Sequence, residues 1–352
     1  MELIDYLQKA VEADASDLFV ITGTPVSIKV MGRMVHLAEE KVMPEDAKAL
    51  IMDMYERAGR DICGLFDNGD DDFSFAVPGL ARFRVNTYRQ RGTYAAVVRI
   101  VRFTVPDWRQ SGIPESVIGL SNLRHGMVIV TGTAGSGKST TEACIIEEIN
   151  RTRDCHIITL EDPIEYLHRN QMSIVSQREI AIDTKDALSG LRACLRQAPD
   201  VIQLGEMRDL ETIRTAMTAA ETGHLILATL HTKGAVNTID RIIDTFSPEQ
   251  QNQIRIQLGS VLQTVVAQQL LPAVGGGRVP AFEIMQVTNA VRSLIRESKT
   301  HQIDNVIASG AADGMVSMDQ SIMALYKAGR ITKETAVAYA DNPEQMRRRI
   351  GT

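Results

Sequence analysis

Gly132-Thr133-Ala134-Gly135-Ser136-Gly137-Lys138-Ser139 is the stretch that decides how the chain is read. The octet matches G-x-x-x-x-G-K-[ST] in full. It follows an apolar run at 127–130 and precedes a segment carrying Ala143, Ile146 and Ile149 at helical spacing. Strand, glycine-rich loop and helix are the context in which this pattern cradles phosphate. Glycines let successive backbone N–H groups curl around an anion without Cβ clashes, and the helix N-terminus behind the loop adds roughly half a positive charge. Thr133, Ala134, Gly135, Ser136, Gly137, Lys138, Ser139 and Thr140 are therefore the expected nucleotide-binding set. Lys138 is aimed at the β and γ oxygens, and the Ser139 hydroxyl at Mg2+.

Working outward, three more apolar runs, at 157–160, 201–204 and 225–230, alternate with segments of 3.6-residue periodicity; Leu210, Ile213, Met217 and Ala220 form one such face. This is the pattern of βαβ units around a buried parallel sheet. Ligands of such sheets bind beyond the carboxyl ends of the strands. There the sequence places Glu161-Asp162-Pro163-Ile164-Glu165, then Gly205-Glu206, then His231-Thr232. Singly, each has an ordinary explanation as a helix cap, a solvated charge or a structural histidine. Together, beside a phosphate loop, they read as a site. Runs at 265–271 and 279–285 flank Gly275-Gly276-Gly277 and predict a hairpin on the sheet edge. From about Asn289 the pattern is helical.

The first hundred residues have a different character. Leu3, Leu7, Ala10 and Val11 predict an opening helix, and 44–58 a second, with Pro44-Glu45-Asp46 as its first turn. Strands are expected at 27–31, turning at Gly32-Arg33, and at 72–76, 81–88 and 94–101. This predicts a small α+β domain over 1–105. A linker at 106–114 lies in a stretch from Phe103 that holds two prolines, a glycine and Trp108. The second domain covers 115–352, helical from about 289.

Composition narrows the class. The chain has 352 residues, 44% hydrophobic and 23% charged, which excludes a disordered chain, a collagen-like fibre or a coiled-coil rod. Its 38 basic and 44 acidic side chains leave a net charge of −6, which lowers the case for a nucleic-acid-gripping protein. Cys63, Cys144, Cys155 and Cys194 form no C-x-x-C, so neither a zinc ribbon nor a thioredoxin-type motif is expected, and a reducing cytoplasm is the natural compartment. No apolar run reaches the roughly 18 to 20 residues of a membrane span, and the acidic amphipathic N-terminus is unlike a signal peptide.

The motifs resemble the PilT family, the retraction motors of type IV pili within the secretion ATPases. The resemblance runs from Ala15-Ser16-Asp17-Leu18 to the helical C-terminus. It rests on an acidic box (159–166), a Walker B region (205–212), a histidine box (220–224 running on to 229–232), and Ala290-Val291-Arg292-Ser293-Leu294-Ile295-Arg296-Glu297, similar to the family's AIRNLIRE signature. It implies an α/β protein with a PAS-like N-terminal domain followed by a RecA-like P-loop ATPase domain. ATP would be hydrolysed with Mg2+ in a homo-hexameric ring, cytoplasmic and peripheral at the cytoplasmic face of the membrane. The partners would be an inner-membrane pilus platform protein and other pilus ATPases, without nucleic acid. Glu165 would be the general base. Glu206 would support Mg2+ through water, and His231 would sense the γ-phosphate and link it to the neighbouring subunit, with His224 supporting it. Arg84 and Arg99 would reach the phosphates, a contribution worth about 10³ to 10⁵ in rate when an arginine is well placed.

Several positions depart from the family pattern: Thr133-Ala134 for Pro-Thr, Phe19 for His, Val291 and Ser293 in the signature, Glu142 for an apolar residue, and Gln203 inside an apolar strand. Glu142 could weaken nucleotide binding or face solvent, and Gln203, if buried, needs hydrogen-bond partners. They keep open a nucleotide-binding regulatory protein with little turnover. A pilus-extension or type II secretion ATPase and a DNA translocase are further alternatives. The missing four-cysteine insert and the start at the small α+β domain favour retraction.

Overall fold

The computed structural model describes residues 2–30, 32–101 and 104–351; Met31 and Phe103, at the end of an expected strand and the start of the linker stretch, lie outside the described residues. The chain separates into two compact units, Met1–Thr104 with Glu165–Leu167, and Val105–Ile164 with His168–Thr352.

The first unit opens with α1 (Leu3–Glu12), whose Leu3, Leu7 and Ala10 are all buried, as their spacing requires. The strands are β1 (Asp17–Ile21), β2 (Pro25–Val30), β3 (Arg33–Lys41), β4 (Asp70–Val77), β5 (Ala81–Gln90) and β6 (Thr93–Val101), with α2 (Pro44–Ala58) and α3 (Cys63–Asn68) between β3 and β4. Among the described residues they form a six-stranded sheet in the order β3-β2-β1-β6-β5-β4. Every pairing is antiparallel. α2 starts on Pro44 and stops at Gly59, whose φ of +59° suits a residue without Cβ. Along β5 the burial alternates strictly: Ala81, Phe83, Val85 and Thr87 point into the core, so Arg82 and Arg84 take the other face.

In the second unit α4 (Glu115–Ile118) precedes β7 (Gly126–Thr131), α5 (Lys138–Thr152), β8 (His156–Glu161) and β9 (Ile174–Glu179). Then come α6 (Ala187–Cys194), β10 (Val201–Leu204), α7 (Leu210–Glu221), β11 (Leu225–Leu230), α8 (Ala235–Asp244), α9 (Pro248–Val261), β12 (Leu262–Pro272) and β13 (Arg278–Gln286). The helices α10 (Asn289–Arg296), α11 (Ile303–Ser309), α12 (Met318–Lys327), α13 (Lys333–Tyr339) and α14 (Pro343–Gly351) complete it. The seven-stranded sheet has the order β13-β12-β7-β11-β10-β8-β9. It is parallel except for β13, which pairs antiparallel with β12 at the edge. Both faces are covered. Met127 and Ile129 pack with α7 and α9 on one side, and Val128 packs with α5 on the other. That is why β7 and β11 are buried along their whole length and read as unbroken apolar runs. The architecture is α/β with mixed sheets.

Among the described residues, β1, β3 and β9 are strands that sequence patterning does not place. β9 reads Ile-Val-Ser-Gln-Arg-Glu and lies at the sheet edge, so it needs no continuous apolar run. Among the described residues no helix is long and apolar enough to cross a membrane.

Candidate functional site

The glycine-rich loop leaves β7 at its carboxyl end and enters α5 at Lys138. Two of its glycines are required by space. A Cβ on Gly132 would lie 2.3 Å from the Gln268 carbonyl oxygen and 2.6 Å from Ser136 Oγ, and one on Gly137 would lie 2.8 Å from Gln268 Nε2. Gln268 Oε1 also accepts from Thr141 Oγ1 at 2.7 Å, so β12 supports both the loop and the first turn of α5. Lys138 is buried, and its Nζ donates to Gly132 O at 2.8 Å and Thr133 O at 3.0 Å. Thr133, Ala134 and Gly135 are exposed at the tip, while Ser139 and Thr140 are half-buried at the start of the helix.

The neighbouring strand ends converge on Lys138. His231, directly after β11, places Nδ1 3.3 Å from Lys138 Nζ. Its Nε2 lies 3.4 Å from Glu206 Oε2, beyond the end of β10. The same Glu206 oxygen accepts from Arg208 Nε at 2.6 Å. Lysine, imidazole, carboxylate and guanidinium thus form one line along the rim. The loop holding His231 is fastened to β7: Thr131 Oγ1 lies 2.7 Å from both the carbonyl oxygen and the hydroxyl of Thr232. The Thr229 hydroxyl donates to the Gly205 carbonyl, tying the ends of β10 and β11 together.

The acidic box leaves β8. Glu161 is buried and accepts at Oε1 from Thr159 Oγ1 (2.7 Å) and Gln177 Nε2 (3.1 Å). Ile164 is buried and Glu165, next in sequence, is exposed. A cavity of about 270 Å³ opens beside α5, lined by Gly137, Thr140, Thr141 and Gln268 together with Arg109, Arg278 and Arg330. It is walled by cations next to the helix N-terminus, a setting for the rest of a polyanionic ligand.

The model of the type II/IV secretion system protein family matches residues 2–336. The chain belongs to that family. It is 42% identical to the type IV pilus retractation ATPase PilT of Pseudomonas aeruginosa, over 98% of this chain and 100% of that protein. It is 41% identical to a twitching motility protein of Neisseria gonorrhoeae, over 96% and 89%. The crystal structure of the pilus retraction motor PilT with bound ADP superposes with a TM-score of 0.92 at 42% identity, covering 99% of each chain.

Arg84 and Arg99 fall in the first unit and face each other directly across β5 and β6. Arg99 Nε is 3.1 Å from Asp17 Oδ1, and Arg84 Nε 3.9 Å from Asp72 Oδ1. His224 and His231 stand at opposite ends of β11. The first precedes it and the second follows it, so the strand's six residues hold them about 20 Å apart at a rise of about 3.3 Å per residue. His224 Nδ1 lies 2.9 Å from the Ala219 carbonyl oxygen at the end of α7. Glu142 and Gln203 are both buried, and Gln203 Nε2 donates to Glu142 Oε2 at 3.1 Å. Thr131, Arg208 and Gln268 also contact the loop or its neighbouring strand ends, and sequence patterning does not single them out. The polar pair Gln268-Gln269 inside an apolar strand run was the available signal for the last.

Proposed function

We propose that this chain is the subunit of a homo-hexameric motor ATPase that powers type IV pilus retraction through an inner-membrane platform protein, with other pilus ATPases as further partners. Its place would be the cytoplasm, peripheral at the membrane. The chain is an ATP-hydrolysing enzyme of the secretion ATPase class. The observation that carries the site assignment is the line Lys138–His231–Glu206 at the rim beside the glycine cradle. The retraction reading draws on full-length likeness to a retraction ATPase and a twitching motility protein, and extension or regulatory readings are not favoured. Residues 1–105 act as the PAS-like domain, 106–114 as the linker and 115–352 as the RecA-like ATPase domain, helical from about 289.

The backbone amides of 133–140, with Lys138, hold the triphosphate. The hydroxyl of Ser139 and the carboxylate of Glu206 are hard oxygen donors, a set that suits Mg2+ held partly through water. Bound there, the ion would offset charge on the phosphate oxygens. Glu165 orients the attacking water and takes its proton. His231 stands between Lys138 and Glu206, so a shift of either is felt by the imidazole. Arg84 and Arg99, carried by the other unit, add positive charge where the transition state needs it.

The test is phosphate release by the purified full chain, with nucleotide binding measured beside it. Lys138→Ala is expected to abolish binding. Glu165→Gln is expected to bind ATP normally and lose at least about 100-fold in turnover, as for loss of a positioned base. Wild-type protein that binds ATP and Mg2+ without turnover would remove the motor reading. Restored twitching in a strain lacking its own retraction motor tests the direction of work.

A further inference from the structure

The segment that carries Glu165 is closed at both ends by a single residue. Gln177 of β9 donates from Nε2 to Glu161 Oε1 at 3.1 Å, where the segment leaves β8, and accepts at Oε1 from the His168 backbone N–H at 2.8 Å, where it returns. Glu165 lies between those two ties in the chain.

The return point is also bolted to the phosphate-loop helix. The His168 side chain is only 2% exposed, and its Nδ1 lies 2.7 Å from Glu147 Oε2 on α5. The other Glu147 oxygen accepts from Gln171 Nε2 at 2.5 Å. One turn further along α5, Asn150 donates to the Arg169 carbonyl oxygen at 2.7 Å and accepts from Gln171 N at 3.2 Å. The hydrogen bond with His168 is foremost among the contacts holding the Glu147 carboxyl below its usual range, so the bolt is charge-assisted. Glu165 lies in no helix or strand. Productive geometry demands placement within about 0.5 Å, and a 1 Å error costs on the order of 100-fold. Here the return end of the segment is fastened to α5, the helix that begins at Lys138.

We propose that His168 is a positioning residue for Glu165, locking the loop of the base to the helix of the phosphate cradle through Glu147, with Gln177 closing the loop. The proposal rests on Glu165 being the base.

The experiment compares His168→Leu, His168→Asn and Glu165→Gln in the full-length assembly. It measures kcat, KM and the stoichiometry of bound ATP. His168→Leu is expected to lower kcat by about tenfold or more, a partial loss of placement, with KM and stoichiometry unchanged. His168→Asn, whose amide keeps a donor near the Nδ1 position, should recover most of it. Wild-type kcat in His168→Leu, a parallel fall in bound ATP, or an asparagine variant no better than leucine overturns the proposal. If His168→Leu does not fold, Gln177→Leu carries the same expectation of low kcat at normal binding. Full turnover in Glu165→Gln removes the base assignment, and this proposal with it. Loss there alongside full turnover in His168→Leu overturns this proposal alone.

Discussion

Gln203 and Glu142 are each other's partner: the amide of the first donates to the carboxylate of the second at 3.1 Å, with the residues 5% and 1% exposed. Each alone looks misplaced. Glu142 is a carboxylate one turn past Ser139, and Gln203 a polar side chain in an apolar strand. Together they link α5 to β10, the two elements that present Ser139 and Glu206. A buried polar group is tolerated when hydrogen-bonded and costly when its partner goes. Gln203→Leu and Glu142→Leu are each expected to destabilise by about 2 kcal/mol. The double variant should return to within about 1 kcal/mol of wild type, because a packed apolar pair carries no desolvation cost. Thermal melts of the four proteins form the cycle, and purely additive losses would contradict the pairing.

Gly132 gives a sharper expectation. Its φ of +146° already lies outside the range of ordinary side chains, and a Cβ there would overlap the Gln268 backbone oxygen, which has no rotamer to escape through. Gly135 also has positive φ, +73°, but its Cβ would meet open space. Gly132→Ala should therefore weaken fluorescent ADP binding at least about 100-fold, while Gly135→Ala, strained by about 1 kcal/mol, should weaken it about tenfold or less. Equal effects at the two positions would show that steric closure at Gln268 does not shape the cradle.

How much could be read in advance follows from how local each feature is. The phosphate loop is contiguous, so eight residues announce it, and β7 and β11 are buried on both faces and announce themselves as apolar runs. Gln268 supports the cradle from 127 residues beyond Thr141, a contact that only the strand order brings about. β9 is an edge strand whose Ser176 and Gln177 are spent on hydrogen bonds to His156, His168 and Glu161, so no apolar alternation marks it. His224 is legible only as part of a motif. It lies seven residues before His231, and β11 runs between the two histidines and carries them to its opposite ends.

Arg84 and Arg99 sit opposite each other in the β5–β6 register, a placement that is unfavourable for like charges on its own. Asp17 and Asp72 lie against them, yet Arg99 remains 66% exposed and Asp72 57% exposed, so these pairs contribute little to folding. Two guanidinium groups kept side by side at that cost suit a role outside the unit. Arg84→Ala and Arg99→Ala are expected to leave the melting temperature nearly unchanged and to lower turnover by about 10³ each if they serve the phosphates. Equilibrium ATP binding should change far less. Unchanged turnover in both would return them to the status of a solvated strand face.

Glu283 of β13 supplies a pH signature. It is 7% exposed and receives the backbone N–H of Ala235 at 2.8 Å, the first residue of α8. Burial raises its carboxyl from the ordinary 4.5 to about 7, with Asp341 and Asp304 adding to the rise, while the backbone donors Ala235 and Met318 oppose it from the N-termini of α8 and α12. Asp341 itself is paired with Lys233 at 3.4 Å. The native state thus holds a proton that the unfolded chain has already released between pH 4.5 and 7. The stability this proton provides is complete below 4.5 and lost as the pH rises through 7, a fall of about 3 kcal/mol across the window. Glu283→Gln removes the titration while keeping an acceptor for Ala235. Relative to wild type, the variant should be no more stable at pH 4.5 and clearly more stable at pH 8. A constant difference between the two proteins across that range, measured by thermal melts at matched ionic strength, would mean that this carboxyl does not titrate there.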